Sequence, residues 1–525
     1  MIENKLLRTE RDNFRRASIE EMLRGMLSPE ARSNSQSPIF DRQLRLQGWN
    51  QKALSNSSVA LIGSSISANY LAAGLLALGI GRVYLMSDSD EVPSSLEFLA
   101  RLASPNIPRS EGLEHWLNCS FYKSSSCSIS LLDSYSSPLL MIEKPSLIID
   151  ASEDSALKSE SLEYAVNFGV PYISVSVRES ESILTFYNPS KGGGESLKEA
   201  YVFSGKNSKS YNLGFQAAAA GVCSALALDI ARKMLMPLDG DYLPEVPIFY
   251  HPGSVEYGDL AIEKLKGKST YPIGPTGSTN GKKVLMVGAG ALGNFAGLVL
   301  SLSGLELHIA DFDSVEITNA NRQILIADRD SVFMKRKKAH VLAEHLSQIA
   351  GANCLPIIGI AAHSSSELAN YFEIDSDFEL INADFVKSRG YDAIVGCVDN
   401  PAARAALDRI AFELSIPYFD GGTEPFSGAV RAYIPGLSPS LDAQIGISAI
   451  AERWRAAMAQ RDSCTLNDKE PSVIISNMLI GSVLAGELLR FFSGKYNYKP
   501  AVYSSNARHS LVFLNGEAVM PHKKI

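Results

Sequence analysis

VLMVGAGALGNFAGLVLSLSGLELHIADFDSVEITNANRQ, from Val284 to Gln323, is the stretch on which the fold turns. A short apolar run meets Gly288, Gly290 and Gly293, an apolar segment with helical spacing follows, and a second apolar run ends at Asp311-Phe312-Asp313. That order predicts a strand, a tight turn, a helix and a second, parallel strand. Glycines spaced Gly-X-Gly-X-X-Gly let the backbone approach a phosphate and aim a helix N-terminus at its charge. Asp311 stands at the distance where an acid meets ribose hydroxyls. Taken alone, this segment fits a nicotinamide-dependent oxidoreductase.

A second segment opens in the same way. VALIGSSISANYLAAGLLALGIGRVYLMSDSDEV, from Val59 to Val92, keeps the apolar runs and an acid-X-acid triplet, but of the three glycines only Gly63 survives. Further elements recur in the same order. Strands near Leu147–Ile149 and Tyr172–Val175 and a small-residue helix at Phe215–Leu235 are answered by strands at Ala393–Val395 and Tyr418 and a helix at Val473–Phe492. VPYIS at Val170 is matched by IPYFD at Ile416. The expected fold class is α/β, two tandem Rossmann-like doubly wound sheets forming a pseudo-symmetric intramolecular dimer, each sheet ending in antiparallel strands such as Ser427–Pro435. The expected domains are a loose arm at 1–38, a degenerate unit at 39–266 entered through helically spaced residues Phe40–Leu54, a Gly/Pro/Ser-rich linker at 267–283, and an active unit at 284–525.

The 525 residues exceed one core, and a net charge of −8 argues against nucleic acid or an acidic membrane as the main partner. Six cysteines without Cys-X-X-Cys spacing suit a reducing cytoplasm and predict no zinc. The N-terminus is charged where a signal peptide would be apolar. The stretch Val473–Phe492 is interrupted by Ser476, Asn477, Glu487 and Arg490, so it predicts a buried helix and not a membrane span.

The residues beyond Asp311 shift the chemistry. Asp313, Asn319, Arg322 and Gln323 are succeeded by Lys335 to Lys338, and GCVDN places Asp399 at the C-terminal end of another strand, where such sheets bind ligands. Hydride transfer needs an apolar nicotinamide pocket, whereas nucleotidyl transfer must stabilise several phosphate oxygens with arginine, lysine and a magnesium-holding carboxylate.

Together these motifs resemble the ubiquitin-activating type of adenylyltransferase, the family that also activates the sulfur-carrier proteins of molybdopterin and thiamine synthesis. The resemblance covers most of 284–434 and returns in EPSVIISNMLIGSVLAGELLRFF. It implies ATP and magnesium as cofactors, with Gly288, Gly290 and Gly293 around the phosphates, Asp311 on the ribose, Asp313 and Gln323 beside it, and Asn319, Arg322 and Lys338 on phosphate. Lys335 is the alternative to Lys338, and the whole basic run also admits a solvated helix start. Asp399 is the implied magnesium and adenylate ligand. FDRQLRL matches the family's leading helix, whose arginine reaches the partner's nucleotide site; Arg42 occupies that position and Arg45 is its neighbour. In the worn copy, Ser95 and Phe98 replace the Asn and Arg, and Glu153 stands for the last acid, so no ATP hydrolysis is expected there.

The implied activity is ATP-dependent adenylation of the C-terminal carboxylate of a ubiquitin-like or sulfur-carrier protein. Onward transfer to Cys464, in RDSCTLNDKEPS, stands beside the alternative of an unreactive loop thiol. Activation of a ribosomal peptide, a non-catalytic peptide- or partner-binding scaffold and a nicotinamide oxidoreductase remain open on the residues alone.

Overall fold

Ser58–Ile62 (SVALI) forms a strand buried along almost its whole length, because a parallel strand covered on both faces reads as a continuous apolar run. The chain rebuilds that arrangement several times. The computed structural model describes residues 38–86, 98–103, 116, 128–132, 137–191, 212–266, 279–326, 328–362, 378–459, 470–494 and 496–514.

The first sheet contains β1 (Ser58–Ile62), β2 (Arg82–Met86), β3 (Ser128–Leu132), β4 (Leu147–Asp150), β5 (Tyr172–Arg178), β6 (Glu181–Tyr187), β7 (Ile248–His251) and β8 (Ser254–Tyr257). Its spatial order is β3-β2-β1-β4-β5-β6-β7-β8. From β3 to β5 in that order the strands run parallel, and β6 to β8 are antiparallel.

After Thr279 the chain repeats the plan with β9 (Lys283–Val287), β10 (Glu306–Ala310) and β11 (Cys354–Ile357). A small ribbon, β12 (Gly359–Ala361) with β13 (Glu379–Ile381), precedes β14 (Ala393–Gly396), β15 (Tyr418–Glu424), β16 (Ser427–Tyr433), β17 (Ala501–Ser504) and β18 (Leu511–Phe513). This sheet is ordered β11-β10-β9-β14-β15-β16-β17-β18, the same sequence of crossovers, with the change to antiparallel pairing again after the fifth strand. The expected α/β class and terminal antiparallel strands are therefore present in both halves.

The helix after β1, Ile66–Leu78, is capped by the Ser65 hydroxyl accepting from Ala68 N and stops at Gly79, φ +84°. Its counterpart after β9 is Ala291–Leu302. The stretch Phe40–Leu54 is not one helix as its spacing predicts. It folds as Pro38–Phe40, Asp41–Leu44 and Gln51–Ser55, because Gly48 turns at φ +77° and Asn50 caps a new helix at Ala53 N.

Two long helices, Leu213–Leu235 and Ile474–Phe492, meet in the middle. Both are long and apolar enough to cross a membrane, yet about nine-tenths of each apolar window is buried inside the protein. Small residues bring them close. A Cβ on Gly221 would come within 2.1 Å of Ser482 Oγ, and one on Gly486 would stand 3.4 Å from Ala218 Cβ. One hydrophobic core runs from Leu61 and Leu75 through Ala220 and Leu298 to Ile480 and Leu488, joining the halves.

Polar contacts across this core are reciprocal. Near the end of the first long helix, Arg232 pairs with Asp229 and donates to Ser505 Oγ, just beyond β17. Near the end of the second, Arg490 pairs with Glu487 and lies against Gly253, in the β7–β8 turn. Each helix thus carries an arginine into the other half's last hairpin.

Candidate functional site

The site begins with glycines that cannot be replaced without moving backbone. Gly288 has φ +106°, and a Cβ there would stand 2.4 Å from Cys397 O. A Cβ on Gly293 would stand 2.0 Å from Gly288 O. Gly290 is the N-cap of Ala291–Leu302 and offers no side-chain cap, so that helix end is left for a ligand's charge. Asn294, fully buried, ties the turn down: its amide donates to Ala289 O and Gly290 O while its carbonyl accepts from Leu325 N.

At the end of β10, Asp311 Oδ2 accepts from Ala289 N at 2.7 Å and Oδ1 from Asp313 N at 2.8 Å. Burial raises its pKa, while Lys338 opposes the shift. The carboxylate therefore sits on the lip of the glycine turn with lone pairs left for hydroxyl donors.

The chain then folds back. Lys338 N donates to Asp313 O and Lys338 Nζ reaches Asp313 Oδ2 at 2.7 Å. Burial works against the Lys338 ammonium, but Asp311, Asp313 and Asp399 outweigh it and its net shift is upward. Lys335 is exposed, at φ +48°, in the turn before. Geometry therefore brings Lys338, and not Lys335, to the acid triplet. The bridge between Ser314 and Lys337 makes this possible across the long interval from Arg322.

Asn319 is buried and serves the local turn. Its Oδ1 accepts from Glu316 N at 2.9 Å, closing a capping box around Ile317–Asn319. Gln323 is buried with Oε1 lacking a hydrogen-bond partner, and its Nε2 lies 3.9 Å from where a Gly290 Cβ would be. Arg322 is buried, donating to Thr318 O and Asn321 Oδ1 at 2.8 Å each. Burial and then the nearby Arg42 push its pKa down to about 10, with Asp399 pulling the other way.

Arg42 comes from the opposite half of the chain. It donates to Glu470 O at 2.9 Å, its Nε is buried without a partner, and it lies within the electrostatic reach of Arg322, Glu316 and Asp399. Arg45, one turn away, pairs with Asp41 at 3.1 Å on the exposed side. Asp399 is exposed at the end of β14, just before the cap residue Asn400, and its charge acts on Arg42, Arg322 and Lys338 together. Asp399 is thus the acid whose charge reaches all three cations, Arg42, Arg322 and Lys338.

Cys464 and Ser95 lie outside the described residues. Cys397 is buried at the strand end and its thiol is pushed well up by burial and then by Asp420. Among the described residues, no group of three or more His, Cys, Asp or Glu side chains has the arrangement of a metal site. Sequence reasoning passed over Asn294, Asn321 and Gln43. All three stand inside the quoted motifs, but a buried amide has no spacing signature to mark it.

In the first half the same positions are spent on structure. Asp154 caps Ser155–Phe168 as Asn400 caps Pro401–Leu414, which makes Glu153 the counterpart of Asp399. Glu153 Oε1 accepts from Val177 N. Ser65 Oγ donates to Ala151 O across what would be the phosphate side of the turn.

Comparison with known proteins agrees with this geometry. The ThiF family profile matches residues 278–521. The NEDD8-activating enzyme E1 catalytic subunit of Saccharomyces cerevisiae is 30% identical over 169 residues, 31% of this chain and 51% of that protein. Ubiquitin-like modifier-activating enzyme 5 of Dictyostelium discoideum is 27% identical over 216 residues, 40% of this chain and 53% of that protein. SUMO-activating enzyme subunit uba-2 of Caenorhabditis elegans is 28% identical over 156 residues, 29% of this chain and 23% of that protein. The chain therefore spans about half the length of these relatives or less. Over residues 278–521 this chain is a ThiF family domain, and its relatives are E1-like enzymes that activate ubiquitin-like modifiers.

Proposed function

We propose that this protein adenylates the C-terminal carboxylate of a small ubiquitin-like or sulfur-carrier protein with ATP. One observation carries the reading: Arg42 of the first half is bound to the second half through Glu470 O and Ser472 N, within electrostatic reach of Arg322 and Asp399. The relatives' names point to the same class of substrate. The pocket also fits a nucleoside triphosphate on its own terms. At Gly290 a Cβ would meet nothing nearer than Gln323 Nε2 at 3.9 Å, which leaves the helix end open, and Gln323 Oε1 and Arg42 Nε are buried groups without a hydrogen-bond partner.

In this reading Asp311 holds the ribose, the glycine turn lies against the phosphate next to it, and the β- and γ-phosphates lie toward Arg322, Lys338 and Arg42. A C-terminal carboxylate is ionised at neutral pH, so it needs no general base. Its oxygen attacks the α-phosphorus, the bond to the β-phosphate bridge oxygen breaks, and pyrophosphate leaves with the electron pair. The cations hold the charge that gathers on the phosphate oxygens, and they are already in place before reaction. Asp399, the exposed acid among them, is the residue that would hold magnesium, which supplies charge neutralisation to the phosphates when bound.

The proposed organisation is a pseudo-symmetric dimer in one chain, with units at 39–266 and 284–525, an arm at 1–38 and a linker at 267–283. The first unit contributes Arg42 and no catalysis of its own. Transfer to Cys464 and a cytoplasmic setting belong to the same proposal. Activation of a ribosomal peptide would use the same pocket and differ only in the acyl donor.

The measurement is ATP–pyrophosphate exchange with candidate carrier proteins ending in Gly-Gly. Arg42→Ala is expected to lower exchange by roughly 100-fold or more. Arg45→Ala, which breaks an exposed pair with Asp41, should stay within about twofold of wild type. Equal rates in wild type and the double variant would rule out the arginine donated by the first half, and tight binding of a nicotinamide dinucleotide would overturn the adenylation reading.

Alkaline pH offers a second check. Arg322 contacts phosphate only while protonated, and its pKa is lowered to about 10, so ATP affinity should be retained at neutral pH and fall as pH rises through that value. The same titration of Arg322→Ala should lose this dependence, and a profile identical to wild type in that variant would mean that Arg322 does not bear on the nucleotide.

A further inference from the structure

Arg322 and Arg42 pose a packing difficulty. Both are at least half-buried, both carry positive charge, and each lies in the other's field before any phosphate arrives. In a low-dielectric pocket such a pair repels, and each long side chain gains by swinging out to water. Asp399, Glu316 and Asp41 offset part of that repulsion, but only directional hydrogen bonds fix where the two guanidiniums point.

Asn321 meets that requirement. It is fully buried, and its amide is used on both sides. Oδ1 accepts from Arg322 Nη1 at 2.8 Å. Nδ2 donates to Ser472 O at 3.1 Å and to Gln43 Oε1 at 3.4 Å. Both acceptors belong to the support of Arg42. Gln43 is its neighbour in Asp41–Leu44, and Ser472 N donates to Arg42 O. Gln43 is in turn fixed by Gln51 Oε1 at 2.6 Å and Leu78 O at 3.0 Å, at the end of the first half's core helix. A row of amides thus runs from Leu78 through Gln51 and Gln43 to Asn321 and ends on Arg322.

We propose that Asn321 is a positioning residue that holds Arg322 and the segment bearing Arg42 in one register, so that both guanidiniums meet the same phosphate chain. The inference rests on the adenylation reading and adds to it a residue that touches neither nucleotide nor acyl donor. Only a side chain with both an acceptor and donors can do this. An aspartate keeps the acceptor for Arg322, loses both donors, and adds a charge that neutralises the arginine.

The test is calorimetric titration of the full-length chain with magnesium-ATP and, separately, with AMP. AMP engages the glycine turn and Asp311 but lacks the β- and γ-phosphates. Asn321→Ala is expected to weaken ATP at least about tenfold and AMP less than about threefold, because a hydrogen bond to a charged group is involved and the adenosine end is untouched. Asn321→Asp, of nearly equal volume, should show the same ATP-selective loss and serves if the alanine variant does not fold. In an Arg42→Ala background, the Asn321→Ala effect on ATP should shrink below about threefold, since the two act as a unit. Unchanged ATP affinity in both Asn321 variants overturns the inference, as does an equal loss for ATP and AMP, which marks general damage to the pocket. A wild type that binds neither nucleotide overturns the adenylation reading and this inference with it. A wild type that binds both, with unaffected variants, overturns the inference alone.

Discussion

Arg322→Ala is expected to lower ATP–pyrophosphate exchange by roughly two to three orders of magnitude while leaving the protein folded. The activity side follows from position. Arg322 shares its pocket with Arg42, Lys338 and Asp399, and a preorganised donor at a developing charge is worth about 3 to 4 kcal/mol. The stability side follows from burial. The guanidinium donates to Thr318 O and Asn321 Oδ1, and it sits in the field of a second arginine. Removing it leaves two acceptors without this donor, at about 1 to 3 kcal/mol, but relieves the repulsion, so thermal unfolding should shift by a few degrees at most in either direction. Activity lost together with the fold would mean that Arg322 is a structural arginine. Exchange at the wild-type rate would end the assignment of this pocket to ATP.

The second large effect is on stability and lies in the first half. Lys158 and Asp150 are both fully buried, with Nζ donating to Asp150 O at 2.9 Å, Asp150 Oδ1 at 3.3 Å and Val175 O at 3.0 Å. Lys158→Met keeps most of the volume and leaves the Asp150 carboxylate buried without its cation, at a cost of about 3 to 5 kcal/mol. Adding Asp150→Asn removes the unpaired charge, and the Ser161 and Tyr172 hydroxyls, which donate to Oδ2, can turn to accept from the amide, so more than half of the loss should be recovered. Because one core joins the halves, the whole chain should unfold in a single transition. Urea unfolding followed by far-ultraviolet circular dichroism and by tryptophan fluorescence tests both points. Two separated transitions, with only one moved by the substitution, would show that the halves fold independently and that Arg42 is delivered by a loosely docked unit.

The counterpart of this pair in the second half is rearranged. Arg404, at the helix position that Lys158 holds in its own half, pairs with Asp420 on β15, not with an acid at the end of the preceding strand. The preceding strand ends at Gly396, where a Cβ would come within 2.5 Å of Tyr418 Oη. An acid has moved from one strand to its neighbour while the cation kept its place. Neither pair could be read from spacing, because the partners are 8 and 16 residues apart in different elements.

Much of the site was legible. Gly288 and Gly293 announce themselves because a left-handed φ at the first and a backbone contact at both admit nothing larger, and Asp311 comes at a length set by one helix and one strand. The choice between Lys335 and Lys338 was not legible. It depended on the pairing of Ser314 with Lys337, a contact across more than twenty residues that no local period encodes. The Phe40–Leu54 segment misled for a related reason, since its apolar spacing suits a helix while Gly48 and Asn50 break it. Asn321, Gln43 and Asn294 left no mark at all. An amide is equally at home on a surface, and only burial makes its hydrogen bonds consequential.

The amino-acid order by itself determined the two sheets, their crossovers and the loss of the glycine turn in the first copy, because these depend on local periodicity and on which residues tolerate an unusual φ. Tertiary structure alone decided which charges meet. Coulombic interaction depends on distance and on exclusion from water, and both arise only when the core between Leu213–Leu235 and Ile474–Phe492 closes and carries Arg42 to Arg322.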